Sequence, residues 1–205
     1  MPGTSCSRST SSSSRVSPVV RILGISGSLH RGSHNTSLHR AAAELLPPGV
    51  ELEVFDGLRE LPPYDADRDA QPADPAVARL REAIASADGI LIATPEYNGS
   101  IPGVLKNALD WASRPFPDSA LRGKPVAVIG ASTGLFGAVW AQAETRKVLG
   151  IIGADVLDHE LPVGQADTAF GDNGELVEPE QRAVLSDLVH VLAARAGAEE
   201  ARAAA

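Results

Sequence analysis

The sequence predicts an α/β protein built on a doubly wound, five-stranded parallel sheet in the order 2-1-3-4-5, with helices on both faces. Three observations predict it. Strand-like apolar runs alternate with helical patterns about five times, which calls for a parallel sheet covered on both sides. Hydrophobic residues make up 43% of the 205 residues and aromatics only 4%, so the core must come from Ala, Val, Leu and Ile. Small-residue polar loops follow the first, third and fourth predicted strands. In that strand order these three strands are neighbours beside the switch point, and their loops meet at the sheet's carboxyl edge.

Residues 1–18, MPGTSCSRSTSSSSRVSP, are too polar and repetitive to bury anything and are expected to form a disordered extension. Arg8, Arg15 and Arg21 without an acidic neighbour give this end a composition that transit peptides share, but it has no apolar run for a secretory signal. A plain tail or an upstream start fits it better. The folded domain is expected over residues 19–196. Residues 19–25 (VVRILGI) read as the first strand, followed by SGSLHRGSHNT at 26–36 and a helical pattern at 37–46 that Pro47-Pro48-Gly49 stops. A loop of Gly, Ser and Asn before a helix favours an anion: backbone N–H groups can approach, hydroxyls donate and the helix dipole attracts. Arg31 can add a charge-assisted bond. The Gly-Lys-Ser/Thr ending of a Walker loop is missing, and Gly24, Gly27 and Gly32 lack the dinucleotide spacing. An ordinary turn with a Ser or Asn helix cap is the other reading.

Residues 50–55 alternate as a second strand. Residues 56–75 form a long connection with Pro62-Pro63 and Asp65, Asp67, Asp69 and Asp74, expected as a solvated surface loop, or else a lid or interface segment. Residues 76–87 are amphipathic, with Val77, Leu80 and Ile84 on one face. A buried third strand at 89–93 (GILIA) then delivers TPEYNGSIPGVLKNALDW at 94–111. Its turn carries two prolines and two glycines. Pro102 suits a first helical position, and Val104, Leu105, Ala108, Leu109 and Trp111 supply an apolar face. Residues 124–131 read as the fourth strand, ending in STGLFG at 132–137. A helix at 138–149, a fifth strand at 154–157 and an irregular stretch at 158–179 with a turn at 171–174 follow. The last helix is expected at 180–196 with Val184, Leu188, Val191 and Leu192 inward, and a frayed tail at 197–205.

A net charge of −8 argues against a nucleic-acid partner, and no apolar run reaches the length of a membrane span. Cys6 is the only cysteine, so there is no internal disulfide or cysteine metal site, and a reducing cytoplasmic compartment is expected. The first loop suits a phosphate. The other two offer backbone donors, acceptors and Tyr97 around a flat space, which fits a mononucleotide with a planar ring; flavin mononucleotide (FMN) is the natural candidate. His30 and His34 sit in the phosphate loop, while His39, His159 and His190 belong to unrelated segments and are expected to be structural or on the surface. No Ser-His-Asp arrangement or metal-ligand spacing stands out. Hydride transfer fits that absence, because a redox cofactor brings its own chemistry.

The segments SGSLHRGSHN (26–35) and TPEYNGSIPGVLKNALDW (94–111) resemble the two signatures of the NADPH-dependent FMN reductase family, a flavodoxin-like group that includes quinone, azo-dye and chromate reductases. The likeness runs from about residue 19 to residue 192. It implies bound FMN, hydride transfer from NADPH, onward transfer of two electrons to a quinone-like or other small acceptor, and a homodimer or homotetramer. By position, Ser28, Ser33 and Asn35 resemble phosphate binders, with His30 and Arg31 where the family usually has Arg after Ser-Leu. Pro95, Glu96, Tyr97, Asn98 and Gly99 resemble the loop along the flavin ring, and Ser132, Thr133 and Gly134 the loop on its other side. Phe136-Gly137 stands where the family usually has paired glycines. No catalytic side chain and no metal ligand is assigned. Two other readings stay open: a non-enzymatic flavodoxin-like electron carrier, and a phosphate-ligand binding module without redox chemistry. Carriers usually shield both ring faces with aromatics, whereas Tyr97 and Phe136 are the only aromatics in the ring-facing loops here. Glu96 can alternatively cap a helix, and Trp111 and Lys106 are expected in the core or at a subunit interface.

Overall fold

The computed structural model describes residues 19–69 and 73–203. The Ser-rich segment 1–18 with Cys6, residues 70–72 of the long connection and residues 204–205 lie outside the described residues. In chain order the elements are β1 (Val20–Ser26), α1 (His34–Ala43), β2 (Val50–Phe55), α2 (Pro75–Ser86), β3 (Gly89–Thr94), α3 (Gly103–Ala112), β4 (Pro125–Ala131), α4 (Val139–Ile152), β5 (Asp155–Val156), β6 (Pro162–Val163) and α5 (Pro179–Ala203).

The sheet runs β2-β1-β3-β4-β5, with every pairing parallel. Alternation along the central strands splits the core. Ile90, Ile92, Val126 and Val128 join Leu80, Leu105 and Leu149 on the α2, α3 and α4 side. Leu91, Ala93, Ala127 and Ile129 join Leu38, Leu188 and Leu192 on the α1 and α5 side. β3 and β4 are buried along their whole length, which is why their sequences read as continuous apolar runs.

The fifth sheet position differs from the single strand expected at 154–157. β5 pairs with the start of β4 through Asp155 and Val156, and β6 pairs with its end, Pro162 beside Gly130 and Val163 beside Ala131. Two short strands thus share one flank, and the second brings the chain up to the carboxyl edge.

Three other expectations shift. α1 begins at His34 rather than at 37, because Ser33 takes the N-cap (φ −67°, ψ 127°) and accepts a hydrogen bond from Asn35 N. Pro102 occupies the N-cap of α3 rather than its first turn. In α5 the inward stripe is Leu185, Leu188, Val189, Leu192, Ala193 and Ala196, while Val184 is exposed at its border and Val191 is half-buried. That stripe has the i, i+3, i+4 spacing of a helical face, and Val184 lies one position outside it. The helix also continues past 196 to Ala203.

The connection after β2 is strapped down rather than solvated throughout. Leu58 and Leu61 are buried, and the Pro62 carbonyl accepts from Asn107 Nδ2 (2.9 Å) and Trp111 Nε1 (2.8 Å). Tyr64 packs edge-on against Trp111, which is itself a core residue.

Candidate functional site

Strand register brings three chain segments together at the carboxyl edge. Ser26 of β1 lies beside Ala93 of β3, and Thr94 of β3 lies beside Gly130 of β4. Two hydrogen-bonded ties lock the tips. Gly27 N donates to Ala93 O at 2.8 Å. Asn35, buried at the start of α1, donates from Nδ2 to Ala131 O and accepts at Oδ1 from Ala131 N, both at 3.0 Å. The Asn35 amide therefore spends two of its bonds joining the first loop to the end of β4.

The first loop is a cradle of donors. Among the described residues, the backbone N–H groups of Ser28, Leu29, Gly32 and His34 have no acceptor. Ser33 accepts from Asn35 N at 3.2 Å and keeps its own O–H to donate. With the N-terminal dipole of α1 behind it, this donor set fits a phosphate. His30 and Arg31 are exposed on the rim. Arg59, from the 3₁₀ turn Gly57–Glu60, donates from Nη2 to Leu29 O at 2.8 Å and brings a second guanidinium to the loop. His34 stacks on Phe170 at 5.9 Å, with Nε2 3.1 Å from Asp167 Oδ1.

The second loop is a tight hairpin. Tyr97 and Ser100 exchange both backbone hydrogen bonds, and Asn98 (φ 55°) and Gly99 (φ 74°) hold the left-handed conformations that such a turn demands. Tyr97 is 53% exposed at this tip. Glu96 points its carboxylate elsewhere: Oε2 accepts from Trp140 N (3.0 Å) and Ala141 N (3.1 Å), capping α4 from outside the helix. This cap substitutes for the local one, since Ala138 at the N-cap (φ 61°) has no side-chain acceptor.

The third loop is stitched to the segment after β6. Ser132 N donates to Val163 O (3.0 Å), Gln165 N to Gly134 O (2.9 Å) and Ala166 N to Ser132 O (3.1 Å). The contact is so close that a Cβ at Gly164 would lie 2.3 Å from Leu135 O, and one at Gly137 would lie 2.5 Å from Val163 N. Ser132 is half-buried, while Thr133 and Gly134 are exposed. Phe136 and Trp140 meet edge-to-face at 5.2 Å, both largely exposed.

Sequence reasoning missed Arg59, Glu144, Trp140 and the stretch 162–166. A cation or a carboxylate that acts on a distant loop leaves no spacing signal, and β6 is too short to alternate. Of the other histidines, His39 is wholly buried, His159 lies 3.6 Å from Asp187 and His190 sits over Ser186 O. Among the described residues no cluster suited to a metal occurs, and no helix is long and apolar enough to cross a membrane. A groove of about 640 Å³ lies between β2 and α2, lined by Arg21, Glu51, Glu53, Arg79 and Glu82 among others. None of the three loops contributes to it, and it lies on the β2–α2 flank away from the strand tips.

A doubly wound sheet with an anion cradle after β1 and two exposed loops after β3 and β4 defines a flavodoxin-like protein. Its sequence relationships are narrower. The profile of NADPH-dependent FMN reductases matches residues 20–168. An NAD(P)H-dependent FMN reductase of Pseudomonas aeruginosa is 42% identical over 174 residues, covering 84% of this chain and 93% of its own. A 2-hydroxy-1,4-benzoquinone reductase of a Burkholderia species is 40% identical over 177 residues, covering 85% and 95%. The solved structure of FerB, a flavoenzyme NAD(P)H:(acceptor) oxidoreductase from Paracoccus denitrificans, superposes with a TM-score of 0.76 at 32% identity, covering 87% of this chain and 97% of FerB. The chain belongs to the NADPH-dependent FMN reductase family. It is an oxidoreductase whose cofactors are FMN and NADPH.

Proposed function

We propose that this enzyme takes a hydride from NADPH and returns two electrons to a quinone-like acceptor, with FMN seated across the three strand tips. The observation that carries the proposal is the register that sets Ser26, Ala93, Thr94 and Gly130 side by side beneath a loop with unpaired N–H donors. When bound, FMN supplies the two-electron chemistry. The chain's own residues bind and orient it. Ser28, Ser33 and the free N–H groups of the first loop take the phosphate, with Arg31 and Arg59 balancing its charge, His30 on the rim beside it and Asn35 fixing the loop against β4. Pro95, Tyr97, Asn98 and Gly99 lie along the ring, Glu96 holds their loop to α4, and Ser132, Thr133 and Gly134 close the other side. The step balances as NADPH, one proton and a quinone giving NADP⁺ and a hydroquinone: the hydride supplies both electrons and one hydrogen, and the single proton comes from solvent.

The quinone class is supported by the relative named for a benzoquinone. We further infer a folding unit over 19–196, a cytoplasmic location consistent with a single cysteine, and a homodimer or homotetramer. The experiment mixes the FMN-loaded protein with NADPH under anaerobic conditions. Flavin absorbance is expected to bleach with NADPH alone and to return on adding a benzoquinone. Bleaching only after a partner reductase is added would make the protein an electron carrier instead.

A further inference from the structure

We propose that Glu144, on α4, is a positioning residue that works with Glu96 as a two-carboxylate clasp on the turn presenting Tyr97. Glu144 Oε2 accepts from Ser100 Oγ at 2.7 Å and from Ile101 N at 3.2 Å. Glu96 reaches the opposite way, accepting from Trp140 N and Ala141 N. One carboxylate runs from loop to helix and the other from helix to loop, with the Tyr97–Ser100 hairpin between them. Each accepts two donors, and a charged acceptor makes the stronger kind of hydrogen bond.

The hairpin has little else to hold it. Asn98 and Gly99 at its tip are exposed, and a Cβ on Gly99 would meet nothing within 4 Å. Its internal bonds fix its shape but not its place. Ser100 links the two: its backbone pairs with Tyr97 and its hydroxyl with Glu144. The same clasp anchors the first turn of α4, where Trp140 leans on Phe136 of the third loop. The two ring-facing loops are thereby registered to one helix. The Ser100 hydroxyl, the Ile101 N–H and, more weakly, Lys147 and Lys106 hold the Glu144 carboxyl below the usual glutamate range, so it remains an ionised acceptor at neutral pH. Lys106 is itself paired with Asp110.

The inference rests on FMN lying along this hairpin. It is tested by E144A and E144Q in the full-length, FMN-loaded protein. E144A is expected to change the visible circular dichroism of bound flavin and to raise KM for NADPH by about 3–10-fold while kcat stays within about twofold. E144Q keeps an oxygen that accepts from both donors and is expected to restore both signals. In cofactor-free protein the Ile101 amide should exchange its hydrogen roughly tenfold faster in E144A. Unchanged flavin dichroism and KM in E144A, with FMN bound as in wild type, would overturn the clasp and leave the proposed function standing. Wild-type protein that takes up no FMN would overturn the function, and this role with it.

Discussion

His39 shows how one side chain can set a pH response for the whole domain. It lies on α1 against β1, wholly buried, and a Cβ on Gly24 would come within 3.0 Å of its Nδ1. Neither ring nitrogen makes a hydrogen bond of good geometry among the described residues. Burial drives its pKa down to about 4, with the Ile25 backbone opposing weakly. The unfolded chain takes up this proton near the ordinary value of about 6.5. Between those values the unfolded state binds more protons, so stability is full above pH ~6.5 and falls as pH drops toward 4. The loss is on the order of 3 kcal/mol at the acid end. His39→Leu removes both the titration and the orphaned nitrogens. Urea unfolding at pH 7 and pH 4.5 should give a smaller drop for the variant than for wild type; an equal drop would remove His39 as the cause. The sequence named His39 only as surface or structural, because a lone histidine carries no sign of how deeply its helix face is buried. Glu96 was legible in position, and of its two readings the helix cap is the one its carboxylate adopts. The family resemblance sets it in the loop along the ring, and the fold adds which helix it caps, since Trp140 of α4 is 44 residues further along the chain and no local spacing links the two.

At the scale of elements, α1 and the loop before it act as one unit, and Ser33 belongs to both. Its hydroxyl oxygen caps the helix and its proton remains for a ligand. Ser33→Ala therefore has two expected effects. Removing a Ser cap costs about 1 kcal/mol of stability, whereas Gly at the same place costs only a few tenths. Both replacements remove the hydroxyl proposed to bind the phosphate, so fluorescence titration should show FMN bound about 10-fold more weakly in each. Only the alanine should melt measurably lower. FMN affinity equal to wild type in both variants would remove Ser33 from the phosphate site. Strands β1 to β4 and helices α1 to α4 were readable because their apolar periods are long and Pro or Gly punctuates them. The start of α1 was not, since its first turn, His34-Asn35-Thr36, is polar and reads as loop. β6 was not either: it exists because β4 offers a free flank at Gly130 and Ala131, which is a property of the sheet and not of Pro162-Val163.

For the whole molecule, strand order was legible because 2-1-3-4-5 makes the three strands that end in small-residue loops neighbours, so those loops meet at one place on the carboxyl edge. What covers that edge was not, because exposure depends on where side chains from separate loops end up. Tyr97, Leu135, Phe136 and Trp140 come from the second loop, the third loop and α4, and are 53%, 70%, 59% and 53% exposed. A stable interface buries about 800 Å² on each partner, and a buried Phe or Trp supplies roughly 150–250 Å². We propose that Phe136 and Trp140 together form the core of a homodimer interface, though not its full extent. Truncating a central aromatic typically weakens association by about 2 kcal/mol or more, some 30-fold in dissociation constant. Trp140→Glu should do so without unfolding α4, because Glu96 caps the backbone N–H and not the indole. Sedimentation velocity over a range of micromolar concentrations should show wild type as an oligomer of the 21.3 kDa chain and the variant shifted toward monomer, with flavin still bound. If both sediment alike, this face is not the interface, and its aromatics stay exposed to solvent.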